Sequence, residues 1–319
     1  MTYRFRTEKI AEQQCSSCNG NTRLFVFGCR LHGACTEAKP LWPEVNGRYR
    51  VCATCPDRDV CVGMPSKAEW LLANMRAMRN GQVIDRMDAP IAGDDFFRDF
   101  WQASRPVVFL ARVPVWTFEG LAERFDNYEV EVQAGRDADP LYEQRSQLHK
   151  ARMNFGEFLK QCEALRTNDI YMTANNAAAN RSLLADLMAD CLPIAGIIDD
   201  PKQGFLWISP AGAVTPTHHD LTCNLLVQVA GKKRVLLVAP EWTPAMENHL
   251  HVYSRLDLSK PGPGNPLPQE VIMEAGDALF LPVGWWHHVT TIEPSIMLSY
   301  TNFVGHANDF YKTHPRVAT

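Results

Sequence analysis

A run of short strand-like segments after Gly204 constrains the fold more than any other feature of this 319-residue chain. The segments are rich in β-branched and aromatic residues, are separated by turn residues, and read FLWISP, LTCNLLVQVA, KRVLLVAP, QEVIMEA, DALFLPV, HHVTTI and SIMLSYTNF. Many short strands with little helix between them are typical of a β-sandwich or a β-barrel. One loop rich in proline and glycine, at residues 259–268, interrupts the run.

The chain upstream of Gly204 mixes helix and strand patterns. Apolar residues at helical spacing predict helices at residues 94–104, 116–125 and 154–166. Apolar and β-branched runs predict strands at residues 105–113 and 129–134. We therefore expect a mainly β fold with flanking helices, in one domain that covers residues 83–319.

A cysteine-rich module is expected before this domain, at residues 1–65, joined to it by a helix within residues 66–82 that stops at Gly81. The module holds eight residues of ligand type, among them two C-x2-C pairs that resemble the knuckles of a zinc ribbon. They are Cys15, Cys18, Cys29, His32, Cys35, Cys52, Cys55 and Cys61. Eight ligands suit two closed tetrahedral zinc sites, which would let a short segment fold without a core. An iron–sulfur cluster and disulfides are the alternatives, and which ligand joins which ion stays open.

Composition and charge exclude some classes of partner. Hydrophobic residues at 46% and charged residues at 21% are ordinary for a globular protein. A net charge of −4 leaves no global positive field to hold nucleic acid or an anionic membrane, so we expect neither as a partner. The N-terminus has no apolar region of a signal peptide, and no apolar stretch reaches membrane-spanning length. We therefore expect a cytoplasmic protein.

The chemistry is predicted to lie at the TPTHHD motif and at a distant histidine. Alternate side chains of a strand point to one face, so a strand here would place His218 and Asp220 together and turn His219 away. His287, in GWWHHV, is the expected third ligand because it sits beside a turn within another β run. Two histidines and one carboxylate leave half of an ion's coordination sphere open. Non-haem iron(II) uses such a site to bind a chelating co-substrate and oxygen.

A lysine is predicted to face the same interior. If Ala230 and Gly231 form a two-residue hairpin turn, Gln228 pairs with Lys233, and paired residues share a face. Lys233 would then lie inside with the metal ligands. The alternative is a solvated hairpin lysine, like its neighbour Lys232.

Three segments carry a resemblance to a known family. LWISPAGAVTPTHHDLTCNLLVQVAGKKRVLLVAP, GDALFLPVGWWHHV and SYTNF together resemble the JmjC or cupin-like 2-oxoglutarate oxygenases, especially their protein hydroxylase branch. A looser likeness extends upstream through IDRMDAPIAGDDFFRDFWQASRPVVFLARVPVW and leaves out the cysteine-rich module. The resemblance implies a double-stranded β-helix, or jelly roll, with iron(II), 2-oxoglutarate and O2 as cofactor and co-substrates.

The same resemblance implies a role for eight residues. The iron ligands match His218, Asp220 and His287; the residues that bind the distal carboxylate of 2-oxoglutarate match Lys233, Thr215 and Tyr171; and the amides beside its iron-bound end match Asn224 and Asn302. Tyr171 matches on a shorter motif, and its alternative is a core tyrosine with a hydrogen-bonded tip. The implied activity is hydroxylation of a protein, peptide or amino acid with release of succinate and CO2. Demethylation of an N-methyl group begins with the same reaction.

Two other classes of function compete with this one. A metal-bearing cupin without oxygen chemistry, such as an isomerase or a sensor, would not need Lys233, Thr215 and Asn302 together. A zinc-dependent interaction protein with an inactive β domain would not need the intact triad. Only a short segment follows Phe303, so we do not expect the C-terminal helices that dimerise some relatives, and the oligomeric state stays open. The loops at residues 135–153 and 241–268 carry no motif that identifies a substrate.

Overall fold

The structure, a computed structural model, describes residues 83–309 together with Leu72, Met75 and Arg76. These three residues are helical, and the rest of the predicted connecting helix lies outside the described residues. The predicted cysteine-rich module at residues 1–65, with its eight ligands, also lies outside them. Residues 83–309 belong to a compact unit that spans Gly81–Thr319.

Four helices flank the strands in the part of the chain that the structure describes. They are α1 (Gly93–Phe96, continued by a π-helical turn at Phe97–Trp101), α2 (Phe118–Phe125), α3 (Phe155–Ala164) and α4 (Arg181–Met188). The first three confirm the predicted helices, with shorter ends. Side-chain caps explain two of the starts, because Thr117 accepts from the Gly120 amide and Asn154 accepts from the Glu157 amide.

Twelve strands form the β part of the described fold. They are β1 (Asp85–Arg86), β2 (Val107–Leu110), β3 (Glu129–Gln133), β4 (Lys150–Asn154), β5 (Phe205–Ser209), β6 (Val214–His218), β7 (Asn224–Val238), β8 (Asn248–Leu250), β9 (Tyr253–Ser254), β10 (Gln269–Met273), β11 (Asp277–Leu281) and β12 (Trp286–Tyr300). Strands β3 and β4 form a separate hairpin sheet, and the other ten strands form one sheet.

Two long strands, β7 and β12, give this sheet two layers. The first half of β7 pairs with β11 and the second half with β10. Strand β12 likewise pairs first with β6 and then with β5, and it lies against β7 along its length. One layer therefore runs β1-β2-β11-β7-β12-β5, and the other runs β10-β7-β12-β6-β9-β8. This arrangement confirms the predicted mainly β, jelly-roll fold.

The predicted hairpin at Ala230–Gly231 is wrong, because both residues lie inside the continuous strand β7. Gly231 has a φ of +71°, and a Cβ built on it would lie 1.8 Å from the carbonyl oxygen of Pro294. The pairing of β7 with β12 shifts register around this point. A glycine in a left-handed conformation, with irregular pairing beside it, bends a strand without ending it. The predicted break between HHVTTI and SIMLSYTNF is also absent, since both lie in β12.

The core divides into two main apolar clusters on opposite faces of the strands. The larger packs helix residues such as Phe96 and Phe158 against strand residues such as Leu225 and Phe280. The second consists mostly of strand residues from both layers, including Leu226. The neighbours Leu225 and Leu226 enter different clusters because successive strand side chains point to opposite faces. The second cluster therefore fills the space between the layers.

Candidate active site

Three predicted ligands meet at one end of the space between the layers. His218 is the last residue of β6, Asp220 lies just beyond it, and His287 is near the start of β12. One ligand atom from each residue lies within 4.8 Å of the others. His218 Nε2 is 3.8 Å from one carboxylate oxygen of Asp220, and His287 Nε2 is 3.7 Å from the other. The direct pairing of His218 with His287 across β6 and β12 places both rings on one face.

Asp220 reaches this position for a reason other than the predicted strand alternation. Strand β6 ends at His218, so Asp220 belongs to the following loop. Its carboxylate accepts a hydrogen bond of 2.5 Å from the Asn224 side-chain amide, and its backbone oxygen accepts one from the Gly284 amide. The aspartate is therefore positioned by contacts with two later parts of the chain.

Both ligand imidazoles are oriented by backbone carbonyl groups. His218 Nδ1 lies 2.8 Å from the Pro216 oxygen, and His287 Nδ1 lies 3.0 Å from the Trp285 oxygen. A proton on each Nδ1 leaves Nε2 as the free lone pair, which is the form that ligates a metal. Burial, and then the nearby His218, lower the pKa of His287 to about 3. His287 is therefore neutral across the physiological range.

The histidines next to the ligands point elsewhere, as predicted, although only His288 lies within a strand. His288 Nδ1 lies 3.4 Å from the Thr217 hydroxyl and 3.7 Å from the Asp257 carboxylate. The His219 ring packs edge-on against Trp286, with ring centres 4.7 Å apart. Burial lowers the pKa of both His219 and His288. Neither side chain belongs to the cluster of three candidate ligands.

Lys233 is fully buried, with 0% of its surface exposed. Its ammonium donates a 2.8 Å hydrogen bond to the hydroxyl of Tyr171, which is also buried. Within residues 83–309 no carboxylate lies within 4.0 Å of this ammonium, whereas Lys232 pairs with Glu274 and Glu293 on the surface. Burying a cation without a counter-charge is costly. The position of Lys233 therefore calls for an anionic ligand, and the solvated alternative does not hold for it.

Thr215 shares a face with His218 because β6 contains an irregularity. His287 pairs with His218, but Val289, two residues later in β12, pairs with Thr215, three residues earlier in β6. In a regular strand, residues three positions apart point to opposite faces. The extra residue in β6 places Thr215 and His218 on the same face instead. Thr215 is buried on the side of the candidate ligands.

The two predicted amides have different surroundings. Asn224 is held against Asp220 and so lies beside the candidate ligands. Asn302 donates through Nδ2 to the backbone oxygen of Asp200, at 2.8 Å. Its Oδ1 is buried and accepts no hydrogen bond from the residues that the structure describes. The contacts of Asn302 therefore do not join it to the three ligands.

Sequence reasoning missed a buried group in the loop after β3. The side chains of Arg136 and Glu143 are 1% and 9% exposed and form an ion pair with a separation of 3.2 Å.

Sequence reasoning also missed a tyrosine beside a candidate ligand. Tyr253, in β9, pairs with His218, and the two ring centres are 6.0 Å apart. Burial, and then the charges of Glu143 and Asp220, raise the pKa of Tyr253. These residues belong to segments without a motif, so no local pattern pointed to them.

No helix in the described part of the chain has the length and apolar character needed to span a membrane.

Comparisons with known proteins identify the family of the chain. The family model of the cupin-like domain matches residues 94–303. The chain is 28% identical to Jumonji C domain-containing protein 5 of Drosophila melanogaster, over 76% of this chain and 66% of that protein. It is 29% identical to tRNA wybutosine-synthesizing protein 5 of Danio rerio, over 66% of this chain and 73% of that protein. It is 28% identical to lysine-specific demethylase JMJ30 of Arabidopsis thaliana, over 65% of this chain but 52% of that protein.

The donor set fits iron(II). Two imidazoles and one carboxylate, converging at one end of the space between the layers, form the arrangement that non-haem iron sites use. The buried ammonium of Lys233 fits a carboxylate of the co-substrate. The matched residues 94–303 include the triad and Lys233. The chain therefore belongs to the cupin-like, JmjC-related family, whose members are generally 2-oxoglutarate-dependent oxygenases.

Proposed function

We propose that this protein is an iron(II)- and 2-oxoglutarate-dependent dioxygenase, and specifically a hydroxylase. The observation that carries the proposal is the buried, uncompensated ammonium of Lys233 in the same barrel as His218, Asp220 and His287. With iron(II), 2-oxoglutarate and O2 bound, such a site supplies oxidation of a substrate C–H bond, coupled to conversion of the co-substrate to succinate and CO2.

The protein's own residues provide binding and orientation. The Nε2 atoms of His218 and His287 and the carboxylate of Asp220 would hold the ion, with their directions set by the backbone carbonyl groups and by Asn224. Lys233 and Tyr171, with Thr215 on the same face as His218, would bind the distal carboxylate of 2-oxoglutarate. Burial of these groups excludes water and strengthens each polar contact. We also assign Asn302 to the co-substrate site, on the resemblance of SYTNF alone.

We propose a protein or peptide as the substrate, with a free amino acid as a smaller alternative. Relatives are named as lysine-specific demethylases and as a tRNA wybutosine-synthesizing protein, so a macromolecular substrate is in keeping with the comparisons. The expectation that nucleic acid is not a partner rests only on the net charge of −4, and the tRNA-related name weakens it. Hydroxylation and demethylation share the same first reaction, so the triad allows either outcome.

A non-oxygenase metal cupin and an inactive interaction domain are weaker candidates. An isomerase or sensor does not need a buried ammonium that binds the distal carboxylate of a co-substrate. An inactive domain does not need three converging ligands. A buried cation without a counter-charge destabilises a domain that binds no anion. The oxygenase therefore explains more of the described side chains.

An anaerobic binding experiment tests the proposal. Addition of iron(II) and then 2-oxoglutarate to the full-length protein is expected to produce the visible charge-transfer band of the chelate. The band should disappear in His218→Ala and persist in His219→Ala, because the His219 ring points away from the ligands. Succinate release with candidate peptides and amino acids then identifies the substrate. A wild-type protein without the band, or a band that survives in His218→Ala, would remove the oxygenase assignment.

We further propose that residues 1–65 form a zinc module, separate from the catalytic domain at 83–319, in a reducing cytoplasm where crowded cysteines favour metal over disulfides. Metal analysis of the purified chain is expected to find about two zinc ions per molecule. Cys52→Ser should reduce this number, whereas Cys191→Ser, at a buried thiol of the β-rich domain, should leave it unchanged. Bound iron and sulfide instead of zinc would identify a cluster and contradict the proposal.

A further inference from the structure

A buried arginine lies behind the tyrosine of the proposed co-substrate site. The side chain of Arg136 is 1% exposed, and its guanidinium carbon lies 4.9 Å from the ring centre of Tyr171 and 4.4 Å from that of Tyr142. Lys233 contacts the same Tyr171 ring, with its nitrogen 5.0 Å from the ring centre. A guanidinium over an aromatic ring is attracted by the ring's negative face. The cations of Arg136 and Lys233 therefore both contact the Tyr171 ring and hold it in position.

The same guanidinium also contacts the strand that carries Thr215. Arg136 Nη2 donates to the backbone oxygen of Val214 at 2.9 Å, and the Tyr142 hydroxyl donates to that oxygen at 3.2 Å. Val214 is the residue immediately before Thr215 in β6. Both contacts hold the start of β6 at a fixed distance from the loop after β3. Through this carbonyl group, Arg136 acts on the backbone that presents the Thr215 hydroxyl.

The loop that carries Arg136 is tied to the backbone just before Tyr171. The Asp137 amide donates to the Asp169 carboxylate at 3.1 Å, and the Arg136 amide donates to the Asp169 backbone oxygen at 3.4 Å. Gln133 and Tyr171 exchange two backbone hydrogen bonds. Both the backbone and the side chain of the loop therefore constrain the position of Tyr171.

The hydrogen-bond donors of Arg136 are only partly satisfied by these contacts. Nη2 donates to Glu143 at 3.2 Å, which neutralises the cation, but Nη1 is buried and makes no hydrogen bond to any residue that the structure describes. Burying an arginine with an unpaired N–H donor costs free energy, and stabilising the loop alone is a poor reason for that cost. The contacts with Tyr171 and Val214 offer another reason for burying the arginine, because they hold these two residues in position.

We propose that Arg136 is a positioning residue for the co-substrate, which fixes the Tyr171 ring and the Thr215 strand so that both meet the carboxylate held by Lys233. This inference rests on the proposed function. Preorganised groups bind a ligand more tightly because no ordering remains to be done on binding. Removing Arg136 should therefore weaken binding of 2-oxoglutarate and leave the ligands of the metal in place.

The variants separate this role from a general role in folding. Arg136→Gln leaves the Glu143 carboxylate buried without a partner and can unfold the loop. The double variant Arg136→Met with Glu143→Leu replaces the whole ion pair by apolar groups of similar size, a change that proteins often tolerate. Arg145→Gln is the matched control, because Arg145 pairs with Asp139 in the same loop with half of its side chain exposed.

Calorimetric titration of 2-oxoglutarate into the full-length protein loaded with manganese(II) measures the effect without catalysis. The double variant is expected to raise the Kd for 2-oxoglutarate about tenfold, as for the weakening of one hydrogen bond from a misplaced Tyr171 or Thr215 hydroxyl, and Arg145→Gln should not change it. The affinity for manganese(II) should stay the same in both. In succinate-release assays the KM for 2-oxoglutarate should rise with little change in kcat.

Two results would count against the idea in different ways. If wild type binds 2-oxoglutarate, Lys233→Met abolishes that binding and the double variant binds like wild type, the positioning role of Arg136 is wrong and the oxygenase proposal stands. If wild type does not bind 2-oxoglutarate at all, the proposed function fails and this inference fails with it.

Discussion

At the scale of single residues, the neighbours Lys232 and Lys233 show that two identical side chains can have different roles when one is at the surface and the other is buried. Lys232 lies on the surface, where Glu274 and Glu293 pair with it and raise its pKa. Lys233 is buried against Tyr171 without a carboxylate in the described chain. The first contributes to solubility, and the second is available to a ligand. The pair therefore offers a matched test of the proposed site.

Replacing Lys233 by methionine should weaken 2-oxoglutarate binding, whereas the same change at Lys232 should have little effect. Lys233→Met is expected to weaken 2-oxoglutarate binding by about 2 kcal/mol or more, since a charge-assisted hydrogen bond is lost. It should also leave the free energy of unfolding of the ligand-free protein unchanged or higher, because an uncompensated buried cation is removed. Lys232→Met should change neither by more than about 0.5 kcal/mol. Titration calorimetry and urea unfolding measure the two quantities. Equal losses of binding in both variants would contradict the assignment of Lys233.

The buried histidines predict how stability depends on pH. The pKa of His287 is lowered to about 3 in the folded protein. At a pH below the ordinary histidine pKa near 6.5, the unfolded chain therefore binds a proton at this residue that the folded protein does not bind. The free energy of unfolding should therefore fall as the pH falls, by about 1.4 kcal/mol for His287 between about pH 7.5 and pH 5.5. His219 and His288, whose pKa values are also lowered, add to the loss.

Urea unfolding in the presence of a chelator checks this prediction. His287→Asn should show a shallower dependence on pH than wild type, because one titrating group is removed. Carboxylates contribute little in this range, since their ordinary pKa values lie near 4. A variant with the same dependence as wild type would show that His287 is not held neutral by burial.

At the scale of elements, the bend of β7 at Gly231 brings both halves of the strand into the site. Asn224 lies in the first half and Lys233 in the second, and their positions differ by nine, an odd number. In a regular strand the two side chains would point to opposite faces. The left-handed glycine and the shifted pairing with β12 remove this conflict. The site thus depends on an irregularity in a strand.

Substituting this glycine should disrupt both stability and binding. Gly231→Ala would place a Cβ 1.8 Å from the Pro294 oxygen, in a conformation with φ of +71°, and is expected to cost about 3 kcal/mol or more. Gly264 has a similar φ of +83° with open space around it, so Gly264→Ala should cost only about 1 kcal/mol. Urea unfolding measures the difference, and 2-oxoglutarate titration should show a loss for Gly231→Ala alone. Equal costs would indicate that the contact with Pro294 can relax.

At the scale of the whole domain, the three candidate ligands join parts of the chain that are far apart in sequence. His218 ends β6, Asp220 lies in the loop after it, and His287 lies near the start of β12, almost seventy residues later. An ion bound to all three would connect β6, its following loop and β12. Anything that binds only the folded state raises its stability by mass action. Metal should therefore stabilise the domain as a unit.

Manganese(II) provides the test, because it prefers oxygen and nitrogen ligands and so avoids the thiols of residues 1–65. At a concentration about a hundredfold above its Kd, it should raise the melting temperature by roughly 5 to 10 °C. His218→Ala should abolish the shift. His288→Gln, at a histidine directed toward Thr217 and Asp257, should retain it. A shift of equal size in His218→Ala would place the binding site elsewhere.

Much of the fold and site followed from local patterns. Strand and helix periodicity predicted α2, α3 and most of the strands of the jelly roll, because side-chain alternation and turn residues are properties of short segments. The TPTHHD and GWWHHV motifs pointed to the same three residues that the fold brings together. The reasons behind two placements were wrong: Asp220 is not in a strand, and Lys233 does not follow a hairpin.

The sequence by itself determined the three candidate ligands and the mainly β class of the fold, because motif spacing and strand periodicity are properties of short segments. Only the tertiary structure decided the bend at Gly231, the extra residue in β6, the separate contact of Asn302 with Asp200, and the buried pair of Arg136 and Glu143. Each of these depends on backbone and side-chain contacts between segments distant in the chain. Such contacts leave no periodic signal in any one segment, because the energy that selects them arises only when the layers pack.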